Sequence, residues 1–303
     1  MITRDTAAFF AFAAHRAPNA ARAVPKALFL VQPEGMALAA ESAQDNAYMA
    51  AAASFDVEAA LREHRALARA LSAHAPVVSF PGDPATPDAV FPNNVFATAP
   101  GRLVIGHMRH AVRRREAARA DIRGFFSEAL GYRVVDLSLQ PGIAELTGAL
   151  VIDRARNVGY CGLSARCDAE GAAAMHAAFG LDATLLFDLA PAEYHANVLL
   201  QVYAGRLAVV CPDGFADRRV AEAILRFHAP HAVALGPQAR RAFAGNGIAV
   251  AADAAFLGAR AVAALTAAER SAFADAGFAL HGVALDEIEK AGGSLRCCVG
   301  EIF

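Results

Sequence analysis

The chain has 303 residues, 56% of them hydrophobic and 19% charged, with a formal net charge of −2. That balance fits a compact globule with a large core and excludes a disordered chain. It gives no sign of a nucleic-acid surface, and no uncharged apolar run approaches the ~20 residues of a membrane span.

Residues 1–25 read as a short leader whose structure the sequence leaves undetermined. An apolar stretch at 7–14 follows Arg4 and Asp5, with no cleavage signal after it. Next come strand-like runs at 27–32 and 76–80, flanking a helical period over 57–73. A strand at 103–108, a helix at 114–130 ending at Gly131 and a strand at 133–139 follow. The runs 150–153 and 158–162 form a hairpin closed at Asn157; a helix at 169–179, capped by Asp168 and ended by Gly180, leads to a strand at 183–189. Ala204-Gly205 turns a second hairpin between 198–203 and 207–211, and a helix at 218–227 capped by Asp217 leads to 232–235. Helical periods follow at 237–244 and 267–276, the latter opened by Thr266 with Glu269 three residues on and closed by Gly277. The last strands are 248–252, 278–283 and 295–302; Phe256-Leu257 is too short to assign.

Hairpins separated by single helices argue for an α/β chain built from a repeated unit, not for a strictly alternating parallel sheet. No linker divides it, so residues 26–303 read as one catalytic domain. Neither GxGxxG nor a P-loop occurs. The five cysteines, Cys161, Cys167, Cys211, Cys297 and Cys298, are odd in number and lack C-x-x-C spacing. They suit neither a disulfide framework nor a zinc site, and the expected compartment is the cytoplasm.

Four segments carry chemistry in unusual settings. PDAVFPNN at 87–94 places Asp88, Asn93 and Asn94 among apolar anchors. AELTG at 144–148 sets Glu145 just before a strand, and EYHANV at 193–198 brings His195 into an apolar run. GGSLRCC at 292–298 puts Cys297 after a glycine pair and Arg296. A thiol, an imidazole and a carboxylate, each at a strand edge, are the set nucleophilic catalysis requires.

The succession PDAVFPNN, ELTG, YHANV, FAGN (243–246) and GGSLRC resembles the guanidine-modifying hydrolases of the pentein superfamily over residues 27–303. That superfamily includes arginine deiminases and dimethylarginine dimethylaminohydrolases; the likeness is nearest to the citrulline utilisation hydrolases, also called amidinotransferase-like. The resemblance implies a five-bladed, pseudo-symmetric α/β propeller with a central pocket. It implies Cys297 as nucleophile, His195 as general acid/base and Glu145 as the carboxylate that holds substrate nitrogens. Asp88, Asn93 and Asn94 match substrate contacts, and Arg166 with either Arg113 or Arg114 matches arginines for the substrate α-carboxylate. No metal or organic cofactor is implied. The partner is a small amino acid, and a homodimer is left open. The family's LEGTG reads AELTG here, with Leu146 for a glycine, YHTNV reads YHANV, and Val112 stands for an asparagine.

The substrate expectation rests on Asn94, where deiminase-like relatives carry an acid. A guanidinium has only donors and suits a carboxylate; a neutral ureido group also offers a carbonyl, which an asparagine amide can bind. Citrulline, hydrolysed to ornithine, is the first expectation. Arginine deiminase or dimethylarginine dimethylaminohydrolase-type activity is the second, and a non-catalytic amino-acid binder the third.

Overall fold

The computed structural model describes residues 1–49 and 54–303. Five small sheets share one local order. In each, a first strand pairs antiparallel with a second, a helix follows, and a third strand returns parallel to the second. The sheets run Phe96–Ala99, Arg102–Ile105, Arg133–Asp136; Leu150–Asp153, Val158–Leu163, Ala183–Asp188; and Leu200–Tyr203, Leu207–Val210, Ala232–Ala234. A fourth joins Ile248–Ala249, Ala254–Gly258 and Ala279–Val283. The fifth uses both ends of the chain: Gly300–Ile302 pairs with Ala27–Val31, which pairs with Val77–Phe80. An antiparallel pair closes with a tight turn, whereas a parallel return needs a helical crossover, so the unit follows from strand and helix order alone.

Local signals account for the joints. Ala204 and Gly205 both take positive φ (48° and 70°), the geometry of a two-residue hairpin turn matched to strand twist. Asp168 and Asp217 cap helices Ala169–Phe179 and Arg218–His228, and Thr266 with Glu269 forms a reciprocal capping box. Aromatic packing fixes the layers between helix and sheet: the Phe29 ring meets Phe126 edge-on at 5.3 Å.

Several expectations need correcting. Residues 1–25, whose structure the sequence leaves undetermined, contain regular elements. Ile2–Thr3 adds a parallel strand beside Ala183–Asp188, and the helix Thr6–Ala14 buries Phe9 against Tyr160 at 5.4 Å. Its apolar residues encircle the helix, so no periodic stripe revealed it. The helix expected at 114–130 is broken: Ala111–Arg114, a tight turn at Arg115–Ala118, Ala120–Gly124 and a wide turn at Phe125–Ala129. The run 295–302 is a helical turn, Leu295–Cys298, followed by a short strand. Strands Phe96–Ala99 and Ala254–Gly258 and helices Ala40–Ala43 and Ala259–Ala264 were not anticipated, because alanine-rich pieces this short carry no readable period. No described helix is long and apolar enough to cross a membrane.

Candidate active site

A short turn leads into the first strand of every sheet, and each turn carries one polar residue of the site. In chain order these are Asn94, Glu145, His195, Asn246 and Cys297, in steps of 50 or 51 residues. The repeat is therefore written in position, not in residue identity. Asn94, His195 and Cys297 line one cavity of ≈ 300 Å³, along with Asp88, Arg113 and Arg166.

Glu145 is fully buried at the start of the turn Leu146–Ala149. Its Oε2 accepts from His195 Nε2 at 2.8 Å and from Arg166 Nη1 at 3.3 Å; its Oε1 accepts from the Arg109 backbone N–H at 3.1 Å. Burial pushes this carboxyl up, but Arg166, His195 and Arg113 outweigh it and hold Glu145 well below the usual carboxylate range. Burial pushes His195 down, with Glu145 opposing. An ionised Glu145 keeps the imidazole proton on Nε2, which leaves Nδ1 as the basic nitrogen. That Nδ1 is buried with no hydrogen-bond partner among the described residues. Gly148 makes room for it: a Cβ there would lie 2.8 Å from His195 Nδ1 and 2.6 Å from Asn94 Oδ1.

Cys297 sits in the helical turn Leu295–Cys298, its backbone N–H donating to Ser294 O at 3.0 Å. Its Sγ receives the Asn246 side-chain amide at 3.3 Å and lies 3.9 Å from Asn197 Nδ2. Asn246 is itself clamped, donating to Asn197 O at 2.9 Å and accepting from the Arg296 N–H at 3.1 Å. Burial pushes the Cys297 thiol up, only partly opposed by Ser294, Asn246 and Arg296. The cation beside it in sequence turns away: Arg296 pairs with Glu301 at 2.8 Å. Both shifts favour the uncharged form, thiol for Cys297 and imidazole for His195. Cys298 is buried and pushed well above the usual thiol range by its burial.

Two arginines approach from the connections. Arg113 forms a two-pronged pair with Glu116 (2.6 and 2.9 Å) and donates to Phe91 O. Arg166 donates from Nε to Asp45 Oδ1 at 2.9 Å and from Nη2 to Ser42 O at 3.0 Å. Each keeps its charge against burial through a carboxylate behind it. Arg114 does not reach the cavity: it is exposed and donates to Met108 O (2.7 Å) and Arg109 O (2.9 Å). Asn93 is buried but not at the wall, its backbone carbonyl accepting from Thr147 Oγ1 at 3.0 Å. Asp88 is at the wall and accepts from Ser42 Oγ at 2.5 Å.

Sequence reasoning missed the cover. Ser42, Asp45, Asn46 and Met49 come from the connection after strand Ala27–Val31 and lie over the cavity or its arginines. Asn46 Nδ2 donates to Gly292 O at 3.2 Å, where the glycine takes φ +77°. The role of Asn197 was also unforeseen, although it lies within YHANV.

No curated protein sequence matches the chain. Among solved structures, it is similar to the N-terminal domain of ArgZ, described as an arginine dihydrolase from the ornithine–ammonia cycle in cyanobacteria and solved with substrate bound. That likeness has 19% identity and a TM-score of 0.78, over 91% of this chain and 97% of that one. AgrE, solved with L-arginine, matches at 20% identity and a TM-score of 0.77, over 91% of this chain and 40% of that one. Dimethylarginine dimethylaminohydrolase, solved as an adduct with S-methyl-L-thiocitrulline, matches at 20% identity and 0.72, over 92% and 100%. At these identities the likeness speaks for the mixed α/β fold. A family model described as N,N dimethylarginine dimethylhydrolase, eukaryotic, matches residues 32–303, and the chain belongs to this family of guanidine-modifying hydrolases.

Proposed function

We propose that the chain hydrolyses the ureido carbon of citrulline to give ornithine, with Cys297 as nucleophile, His195 as acid/base and Glu145 as orienting carboxylate. The observation that carries this reading is the lining of one cavity, where Arg113, Arg166 and Asp88 stand together with the neutral amide of Asn94. Behind that wall Arg113 is paired with Glu116 and Arg166 with Asp45 and Glu145, while Asn94 offers a ureido carbonyl an uncharged amide donor. A zwitterionic amino acid would set its carboxylate at the arginines and its ammonium at Asp88, leaving a neutral ureido group to Asn94. The five sheets are taken to form five blades around this cavity, with residues 26–303 as one catalytic unit.

In the proposed path His195 Nδ1 takes the Cys297 proton as Sγ attacks the ureido carbon. The tetrahedral intermediate collapses as His195 protonates the departing ornithine amine, leaving a carbamoyl group on Sγ. Water, deprotonated by His195, releases carbamate, which breaks down to ammonia and carbon dioxide. Glu145 stays ionised throughout and fixes the ring and the substrate N–H groups. No step requires a metal or an organic cofactor.

A second reading, hydrolysis of arginine or a methylated arginine, is favoured by the family description and by the relatives solved with L-arginine and S-methyl-L-thiocitrulline. End-point amino-acid analysis separates the two. The protein is incubated with L-citrulline, L-arginine or dimethylarginine, with Cys297→Ser as blank. Ornithine from citrulline, absent from the blank, is the expected result. Turnover of arginine or dimethylarginine with citrulline inert replaces the substrate; binding without turnover of any leaves an amino-acid binder.

A further inference from the structure

A second cavity, of about 1010 Å³, lies among residues that play no part in the Cys297 site. Four cations from three stretches of the chain wall it. Arg22 ends the turn Ala20–Arg22, and Lys26, its backbone N–H held by Ile302 O at 2.8 Å, precedes strand Ala27–Val31. Arg102 opens strand Arg102–Ile105, and Arg154 follows strand Leu150–Asp153. No Asp or Glu is part of this wall, and none of the four cations forms an ion pair among the described residues. Two neighbouring acids are already committed: Asp153 to Arg156 at 2.9 Å and Glu301 to Arg296 at 2.8 Å.

Arg154 is the most telling of the four. Its guanidinium lies 4.2 Å over the Phe303 ring and 5.6 Å from the Phe179 ring, and its one hydrogen bond to protein runs from Nη2 to Thr98 O at 3.1 Å. Burial, with Glu301 opposing it and Arg296 adding to it, pushes it down to about 10. Arg102 donates only to Phe179 O, at 3.3 Å. Each guanidinium carries five N–H donors in a planar fork, so most of them have no partner among the described residues. The end of helix Ala169–Phe179 contributes roughly half a negative charge and the α-carboxylate of Phe303, a residue of the wall, one more, which together offset less than half of four positive ones. Gathering like charges in a concavity opposes folding unless something compensates them. The catalytic arginines differ, since each is backed by its own carboxylate.

We propose that this cavity is a second ligand site that takes a small, multiply charged phosphate-type anion. A monocarboxylate would balance one cation of four, whereas a di- or trivalent phosphate matches both the charge and the bidentate geometry of guanidinium forks. The site is independent of the reaction assigned to Cys297.

Calorimetric titration of the whole chain with inorganic pyrophosphate at low ionic strength tests it. The expected result is saturable one-to-one binding that persists with the Cys297 cavity saturated by L-citrulline or L-arginine. The exposed variant Lys26→Gln and the half-buried Arg102→Gln each weaken it by on the order of tenfold, as for loss of one charge-assisted contact. Arg154→Gln weakens it further, with thermal melting as the check that this variant folds. Absence of saturable binding, displacement by the amino acid, or unchanged affinity in both Lys26→Gln and Arg102→Gln overturns the proposal.

Discussion

The turns at the first strand of each sheet and the connections between sheets build the same cavity in opposite ways. The turns recur at near-constant spacing and deliver Asn94, Glu145, His195, Asn246 and Cys297 on rigid, buried backbone. The connections do not repeat. One supplies Ser42, Asp45 and Asn46, and another supplies Arg113 with Glu116. Reacting groups need fixed geometry, which a repeated frame provides. Groups that hold the ends of a substrate can be hung on irregular chain, provided each charge is backed by a partner.

This division makes predictions that differ in kind. Changes in the turns should remove turnover while leaving binding. Cys297→Ser and His195→Ala should each lower kcat by on the order of a thousandfold or more, while equilibrium dialysis still detects the amino acid. Near wild-type rates in either would break the distinction. Changes in the connections should act mainly on KM. Arg166→Ala is expected to raise KM about a hundredfold, as for loss of a buried charge-assisted contact. Asp45→Asn, which leaves Arg166 in place but loosens it, should cost less. A fall in kcat with KM unchanged in Asp45→Asn would place it with the turns instead.

A third prediction concerns the resting thiol. Burial raises Cys297, so alkylation by iodoacetamide without substrate should climb with pH up to and beyond the ordinary thiol value of 9.0. A plateau at neutral pH would mean that the frame holds a thiolate before substrate arrives.

The smallest expected effect lies outside the site. Burial pushes His64 down to about 4 and His228 down to about 3, the latter with Nε2 at 3.1 Å from the Tyr160 hydroxyl. Unfolded histidines take up protons below about 6.5, which these buried ones refuse. Stability should therefore be intact above that pH and fall as pH drops from 6.5 towards 4, by up to about 3 kcal/mol per group. Urea melts across that range check it; His64→Leu should flatten the slope, and an unchanged slope would contradict the assignment.

The sequence made the turns far more legible than the connections, for a physical reason. A strand edge needs apolar neighbours, so Glu145, His195 and Cys297 stand out as polar or reactive residues against them. The hairpin at Ala204-Gly205 and the caps at Asp168, Asp217 and Thr266 have local signatures and were readable one residue at a time. Arg113 could not be told from Arg114, because the helix there breaks after Arg114 and a single period no longer applies. Ser42 and Asn46 meet Asp88 and Gly292 only in the folded chain, so no local pattern marks them. The Thr6–Ala14 helix was hidden by its own hydrophobicity. Phe9→Ala, costing roughly 3–5 kcal/mol as a buried aromatic truncation, would show how firmly it is docked.

The most direct test of the account is to quench turnover of L-citrulline in acid and measure the mass of the whole chain and of its peptides. The account predicts one carbamoyl group on the peptide carrying Cys297, absent in Cys297→Ser and absent from Cys298. Turnover with no adduct on Cys297 under any quench time, or an adduct on another cysteine, would contradict it.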